Sequence, residues 1–193
     1  MARVYYGNQM SLDGYVADRE GRFDWAMPGE DVHAAINDDL RGVGTFLLGR
    51  RVWEVLRAWD VMDLDGEPEP IVDFAAIWRA ADKVVYSRTL AEEELETAPR
   101  TRLARRFDVD EVREFATSAD RGVSIGGPEL AAQALAVGLV DEIALWTYPV
   151  VVGGGTPAFA TGADGAPDRL DLELVETRRH EGGVVGLRYR PRR

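Results

Sequence analysis

Apolar residues recur along this chain in two rhythms. Short runs, continuous or alternating, are separated by stretches where apolar positions return every three or four residues. The first rhythm predicts strands and the second predicts helix faces. Strands are expected at Val4–Met10, Gly44–Gly49, Lys83–Ser87, Gly122–Ile125 and Glu142–Val152, with an exposed strand at Arg100–Phe107. Thr45-Phe46-Leu47-Leu48 shows no alternation, which fits a strand covered on both faces. Helices are expected at Asp31–Arg41, Arg50–Arg57, Val72–Ala81, Val109–Ser118 and Pro128–Val137. Val32, Ala35, Ile36 and Leu40 share one face of the first; Val109, Val112, Phe115 and Ala116 share one face of the fourth. Pro128 suits a first helical turn. Leu170–Arg178 and Val184–Arg190 flank Glu181-Gly182-Gly183 as an antiparallel hairpin, while Asp18–Gly29, Asp60–Pro70 and Thr89–Pro99 read as loops. About eight strands and four or five helices, with strand pairs running both ways, predict a single α/β domain over residues 1–193 built on a mixed sheet.

Composition narrows the function. A net charge of −11 and a pI near 4.7 repel polyanions, so nucleic acid and anionic membrane are set aside as partners. A small anion in a local basic pocket remains compatible. With 0 Cys, the chain has no disulfide, thiol nucleophile or thiolate metal site. Its 2 His, at positions 33 and 180, lie too far apart in sequence to suggest a metal centre. No apolar run reaches the ~18 residues of a membrane helix. The start leads directly into strand-like sequence, and a cytoplasmic protein is expected. Of the 23 basic residues only Lys83 is lysine. Codon usage alone can produce such a bias, yet guanidinium also suits fixed recognition of phosphate.

Four motifs carry candidate chemistry. Leu48-Gly49-Arg50-Arg51 ends a strand and opens a helix, a place for an anion or simply a tight turn with two solvated arginines. Tyr86-Ser87-Arg88-Thr89 leaves another strand and can hold a ribose phosphate or form a polar loop. Ser124-Ile125-Gly126-Gly127-Pro128 runs through two glycines into a helix, matching neither the G-x-G-x-x-G fingerprint nor a P-loop. Trp146-Thr147-Tyr148-Pro149 precedes Gly153-Gly154-Gly155 and sets polar side chains among apolar ones. Several strand ends that open into phosphate-competent turns predict a nucleotide site at the carboxyl edge of the sheet.

In this order and spacing, together with Ser11-Leu12-Asp13-Gly14-Tyr15-Val16-Ala17, the motifs resemble the dihydrofolate reductase superfamily. The similarity is greatest to its bacterial branch related to the riboflavin-biosynthesis reductase domain, and it runs from Val4 to Tyr189. The resemblance implies a dihydrofolate-reductase-like three-layer fold, an eight-stranded mixed sheet and NADPH as cofactor. It places Gln9, Val16 and Ala17 beside the nicotinamide, and Gly49, Arg50 and Arg51 at the phosphates. Ser87 and Arg88 fall near the adenosine 2′-phosphate, and Gly126 and Gly127 against the diphosphate. Thr147 falls on the substrate side; apart from the resemblance, Tyr148 reads as a polar strand residue aimed at a ligand, and Trp25 and Trp146 as surfaces for stacking on a flat substrate. Glu30 or Asp31, or a bound water, would supply a proton. A homodimer is also implied. The activity this suggests is hydride transfer to a C=N or C=O bond of a small pterin- or pyrimidine-like substrate.

The sequence departs from both named activities. Pro128-Glu129-Leu130 replaces the basic and aromatic residues that follow the Gly-Gly turn in folate reductases, and no zinc-deaminase motif is present. Two alternatives therefore stand beside the reductase: a non-catalytic nucleotide-sensing module, and a flavin-binding variant. Among single residues, His33 reads as a proton donor or, more commonly, as cover for a helix face. His180 reads as solvated near a turn, and Asp13 as the stabiliser of its own turn. Asp31 reads more readily as a first-turn helix acid than as a proton donor.

Overall fold

The computed structural model describes residues 3–118, 120–160 and 169–192. Its elements in chain order are β1 (Val4–Ser11), β2 (Tyr15–Ala17), α1 (Glu30–Leu40), β3 (Val43–Gly49), α2 (Arg50–Leu56), α3 (Glu69–Ala80), β4 (Asp82–Tyr86), β5 (Thr101–Ala104), α4 (Val109–Ser118), β6 (Gly122–Gly126), α5 (Pro128–Ala136), β7 (Glu142–Tyr148), β8 (Thr156–Pro157), β9 (Leu172–Arg179) and β10 (Val185–Pro191). Eight strands form one sheet in the order β5-β4-β3-β6-β1-β7-β10-β9, and β2 pairs with β8 in a separate ribbon. The first six strands of that order are mutually parallel; β10 runs antiparallel to β7 and to β9. The expected mixed α/β sheet with a C-terminal antiparallel hairpin is thus the architecture found.

Strand alternation divides the core in two. Phe46 and Leu48 of β3 face a cluster with Trp53 of α2, Val32 of α1, and Phe74 and Trp78 of α3. Leu47 faces the other side, with Val112 of α4 and Leu130 and Ala134 of α5. Both faces of the parallel strands are covered, which is why their sequence lacks polar alternation. The result is three layers, helices on both sides of the sheet.

Several boundaries differ from expectation. Helix α3 starts at Glu69, before the expected Val72, because Pro70 occupies its first turn, where a missing N–H costs nothing. Strand β7 stops at Tyr148, not Val152, because Pro149 has no N–H for the ladder. The exposed strand expected over Arg100–Phe107 is limited to Thr101–Ala104 at the sheet edge.

Two buried ionic groups lie away from the carboxyl edge. Lys83, near the start of β4, is buried; its ammonium donates to the Trp78 carbonyl at 3.1 Å and lies 3.6 Å from Asp60. Burial lowers its pKa, and the Asp60 charge opposes that shift. Glu142, at the start of β7, is also buried. It meets Arg188 at 2.7 Å, Arg190 at 3.6 Å, and Arg3. Arg188 also binds Asp39 of α1, so this network ties β1, β7, β10 and α1 together.

Candidate functional site

Because six strands are parallel, their carboxyl ends share one edge of the sheet, where crevices form. A cavity of about 470 Å³ lies there between the start of α1, the end of β7 and the β9–β10 turn. Trp25, Met27, Gly29 and Asp31 form one wall; Tyr148, Pro149 and Val150 form another; Glu181, Gly182 and Val184 close the third. The ring centroids of Trp25 and Tyr148 lie 6.3 Å apart, edge to face. The Trp25 Nε1–H is buried without a hydrogen-bond partner, a free donor in a residue that lines the cavity.

The charges of this cavity are well defined. The Asp31 carboxylate accepts the Glu181 N–H at 2.8 Å, and its Oδ2 lies 3.3 Å from Nδ1 of His180. The Glu181 hydrogen bond is the main cause that holds Asp31 below the usual carboxylate range; His180 adds to it. Asp31 is therefore an anion at neutral pH, and a poor acid. Tyr148 donates its hydroxyl to Gln9 Oε1 at 2.6 Å. Burial, with the Asp31 charge behind it, pushes that phenol up to about 12, so it stays protonated. The cavity thus presents an anionic acceptor on one wall and a neutral phenol on another.

Of the residues expected on the substrate and proton side, Trp25, Asp31 and Tyr148 meet in this cavity. Glu30 is exposed and lies outside its lining. Thr147 does not line it either. Neighbours on a strand point to opposite faces, and Thr147 Oγ1 is buried without a partner. His33 packs against Trp59 and Phe74 at centroid distances of 6.0 and 5.8 Å, and burial lowers its pKa. It covers a helix face. His180 corrects its expectation: its side chain is 6% exposed and paired with Asp31. Asp13 corrects in scale, since its carboxylate spans to the glycine loop and accepts the N–H groups of Val152 and Gly153 at 3.2 and 2.8 Å.

The expected phosphate residues gather at the ends of β3, β4 and β6. Gly127 has φ +110, and a Cβ there would lie 3.8 Å from the Gly49 nitrogen, so the two turns are in contact. Arg50 links to Glu54 at 2.7 Å and to Thr89 at 3.1 Å, joining this group to the β4 turn. Ser87 accepts the N–H groups of Thr89 and Leu90, which commits its hydroxyl to that turn. Arg51 and Arg88 are exposed and have no ionic partner among the described residues. Helix α5 opens without a side-chain cap, leaving backbone donors for an anion. Val16 and Ala17 lie in or beside the β2–β8 ribbon, against the glycine loop, and Arg19 donates to the Gly153 carbonyl at 2.7 Å.

Sequence reasoning missed the β9–β10 turn as a cavity wall. Its only local signal is Glu-Gly-Gly beside a histidine. The partner of that turn, Asp31, is 150 residues away from Glu181.

The layered sheet, its strand order and this carboxyl-edge cavity define a dihydrofolate-reductase-like fold of the kind found in riboflavin-pathway reductase domains. The pattern of the RibD C-terminal domain matches residues 2–185, and the chain belongs to that family. It is similar to the uncharacterized Bacillus subtilis protein YyaP, 26% identical over 188 residues, which are 97% of this chain and 94% of that protein. A Shewanella sp. PV-4 protein, named as a candidate for riboflavin biosynthesis, shares the fold with a TM-score of 0.74 at 21% identity, over 100% of both chains. A Thermotoga maritima diaminohydroxyphosphoribosylaminopyrimidine deaminase/5-amino-6-(5-phosphoribosylamino)uracil reductase aligns with a TM-score of 0.68 at 13% identity, over 99% of this chain and 57% of that one. A Corynebacterium diphtheriae pyrimidine reductase-like protein aligns at 0.63 and 15% identity, over 100% of this chain and 92% of that one.

Proposed function

We propose that this protein is an NADPH-dependent reductase acting on a C=N or C=O bond of a small, planar pyrimidine- or pterin-like substrate. The observation that carries this is the cavity bounded by Trp25, Asp31 and Tyr148 at the sheet edge that also holds the glycine and arginine turns. The residues present fit a dinucleotide phosphate. Arg51 and Arg88 are cations without an ionic partner among the described residues, and the uncapped start of α5 follows the Gly127 turn, which touches the Gly49 turn. Bound NADPH supplies the hydride. The chain supplies alignment, exclusion of water by the aromatic walls, and charge. Asp31, being anionic, favours a protonated ring nitrogen, and a protonated C=N bond accepts hydride more readily. The proton then enters from solvent with the substrate, and Asp31 stabilises it without donating it.

The low proton affinity of Asp31 also favours the rival reading, a nucleotide-sensing module without turnover. Calorimetric titration with NADPH, followed by its oxidation in the presence of 5-amino-6-(5-phosphoribosylamino)uracil and simple pterins, separates the two. Absence of NADPH binding at millimolar concentration overturns both. A yellow as-purified protein would point to flavin instead.

A homodimer is part of the same proposal, and β9 is the edge that suits it. Seven of its eight residues are exposed, among them Leu174 and Val175. Antiparallel pairing with a second copy would set Glu173 opposite Arg178 twice.

A further inference from the structure

His180 is one of only two histidines, and nothing in the motif pattern marks it. Its imidazole is enclosed, 6% exposed, at the end of β9. On one side Nδ1 lies 3.3 Å from Asp31 Oδ2. On the other, Nε2 sits so close to β10 that a Cβ on Gly186 would approach it to 3.2 Å. That packing holds the ring in place, and the absence of a side chain at Gly186 makes room for it. The neighbouring Glu181 N–H binds Asp31 at 2.8 Å. The carboxylate is therefore gripped by two successive residues of the hairpin, while about a third of the side chain (34%) remains exposed and lines the cavity.

We propose that His180 is a positioning residue, which fixes the Asp31 carboxylate so that it meets N–H groups of a heterocycle bound between Trp25 and Tyr148. This rests on the reductase reading of the cavity. The titratable groups around the contact are few. Asp31 faces the imidazole, Tyr148 stands across the cavity, and Glu30, Arg179 and Glu181 adjoin the pair in sequence. No Lys or Arg side chain is paired with Asp31 among the described residues, so the imidazole is the side chain that sets its direction. Without the imidazole the carboxylate keeps only the backbone N–H groups of Glu181 and Val32; it loses the side-chain contact that fixes its direction, and a hydrogen bond to a charged group is worth about tenfold or more in binding.

The test compares His180→Leu, which removes the polar contact at similar volume, with His180→Asn, whose amide nitrogen stands near the place of Nδ1. Both are assayed with NADPH and 5-amino-6-(5-phosphoribosylamino)uracil. The expected result is about a tenfold loss of kcat/KM in His180→Leu, recovery to within about threefold in His180→Asn, and unchanged NADPH affinity in both. The Asp31 carboxyl resonance, assigned with Asp31→Asn, should titrate at higher pH in His180→Leu and near its original position in His180→Asn. A His180→Leu enzyme equal to wild type, or a His180→Asn enzyme as impaired as His180→Leu, overturns the proposal. If the wild type binds NADPH but reduces no substrate, the reductase reading falls. The carboxyl titration then decides about His180 alone, and an unmoved midpoint in His180→Leu rejects it.

Discussion

Substitution of Gly155 by alanine should damage this protein far more than the same change at Gly153. Both glycines lie in the loop after β7 and both have positive φ, +136 and +72. A left-handed conformation costs an ordinary residue about 1–2 kcal/mol. At Gly153 that is the whole cost, because nothing stands within 4 Å of the position a Cβ would take. At Gly155 the Cβ would fall 2.0 Å from the Ala17 carbonyl oxygen and 2.5 Å from the Asp18 carbonyl carbon. These are backbone atoms of another segment, and no side-chain rotation relieves the overlap. Relief requires that the β2–β8 ribbon part, with loss of its Ala17–Thr156 register. A backbone strained in this region costs about 1–3 kcal/mol before the overlap is counted. Gly153→Ala should therefore lose about 1 kcal/mol and Gly155→Ala at least about 3 kcal/mol. In a chain of this length each kcal/mol lowers Tm by about 2–4 °C, so circular dichroism melts resolve the two variants. NADPH affinity should fall with Gly155→Ala, since Ala17 is expected to border the nicotinamide. Equal stabilities for the two variants, within about 0.5 kcal/mol, would refute the argument that the glycine loop seats directly on Ala17 and Asp18.

Other outcomes follow from the same geometry. Glu142→Ala should cost about 2 kcal/mol in urea unfolding, because it removes the buried carboxylate that Arg3, Arg188 and Arg190 share and leaves Arg188 with Asp39; a loss below about 1 kcal/mol would assign the network a surface value. Asp31 titrates below its unfolded value, so its contribution to stability is complete above about pH 4 and fades as pH falls through the lower folded value. The stability gap between wild type and Asp31→Asn should then narrow from pH 7 to about pH 3, and a constant gap would contradict the contact with Glu181. Leu174→Lys on β9 should give a monomer by light scattering, whereas an unchanged mass would move the interface elsewhere.

The sequence was most informative where one local force decides the structure. Thr45–Leu48 reads as a doubly covered strand because both faces are apolar, and Val109–Ser118 matches α4 end to end because its periodicity is unbroken. It misled where a single residue overrides a pattern. The apolar run Val150-Val151-Val152 looks like strand, yet Pro149 ends the ladder before it. Two prolines made Asp60–Pro70 read as a loop, though one of them sits within a helical first turn. In the candidate site, Trp25, Asp31 and Tyr148 were legible through motif order. The Asp31–His180 contact was not, because it is made by tertiary packing between α1 and a hairpin at the far end of the chain. Thr147 and Tyr148 looked equivalent in sequence, and only the pleat separates them.

The isolation of Lys83 has a practical consequence. The folded protein offers no lysine amine to solvent, since its single lysine is sealed between Trp78 and Asp60. Amine-directed reagents should leave that side chain unmodified while the fold holds and acylate it once β4 opens. Lys83 is thus a built-in chemical reporter: the rate at which it is labelled measures the opening of the core itself.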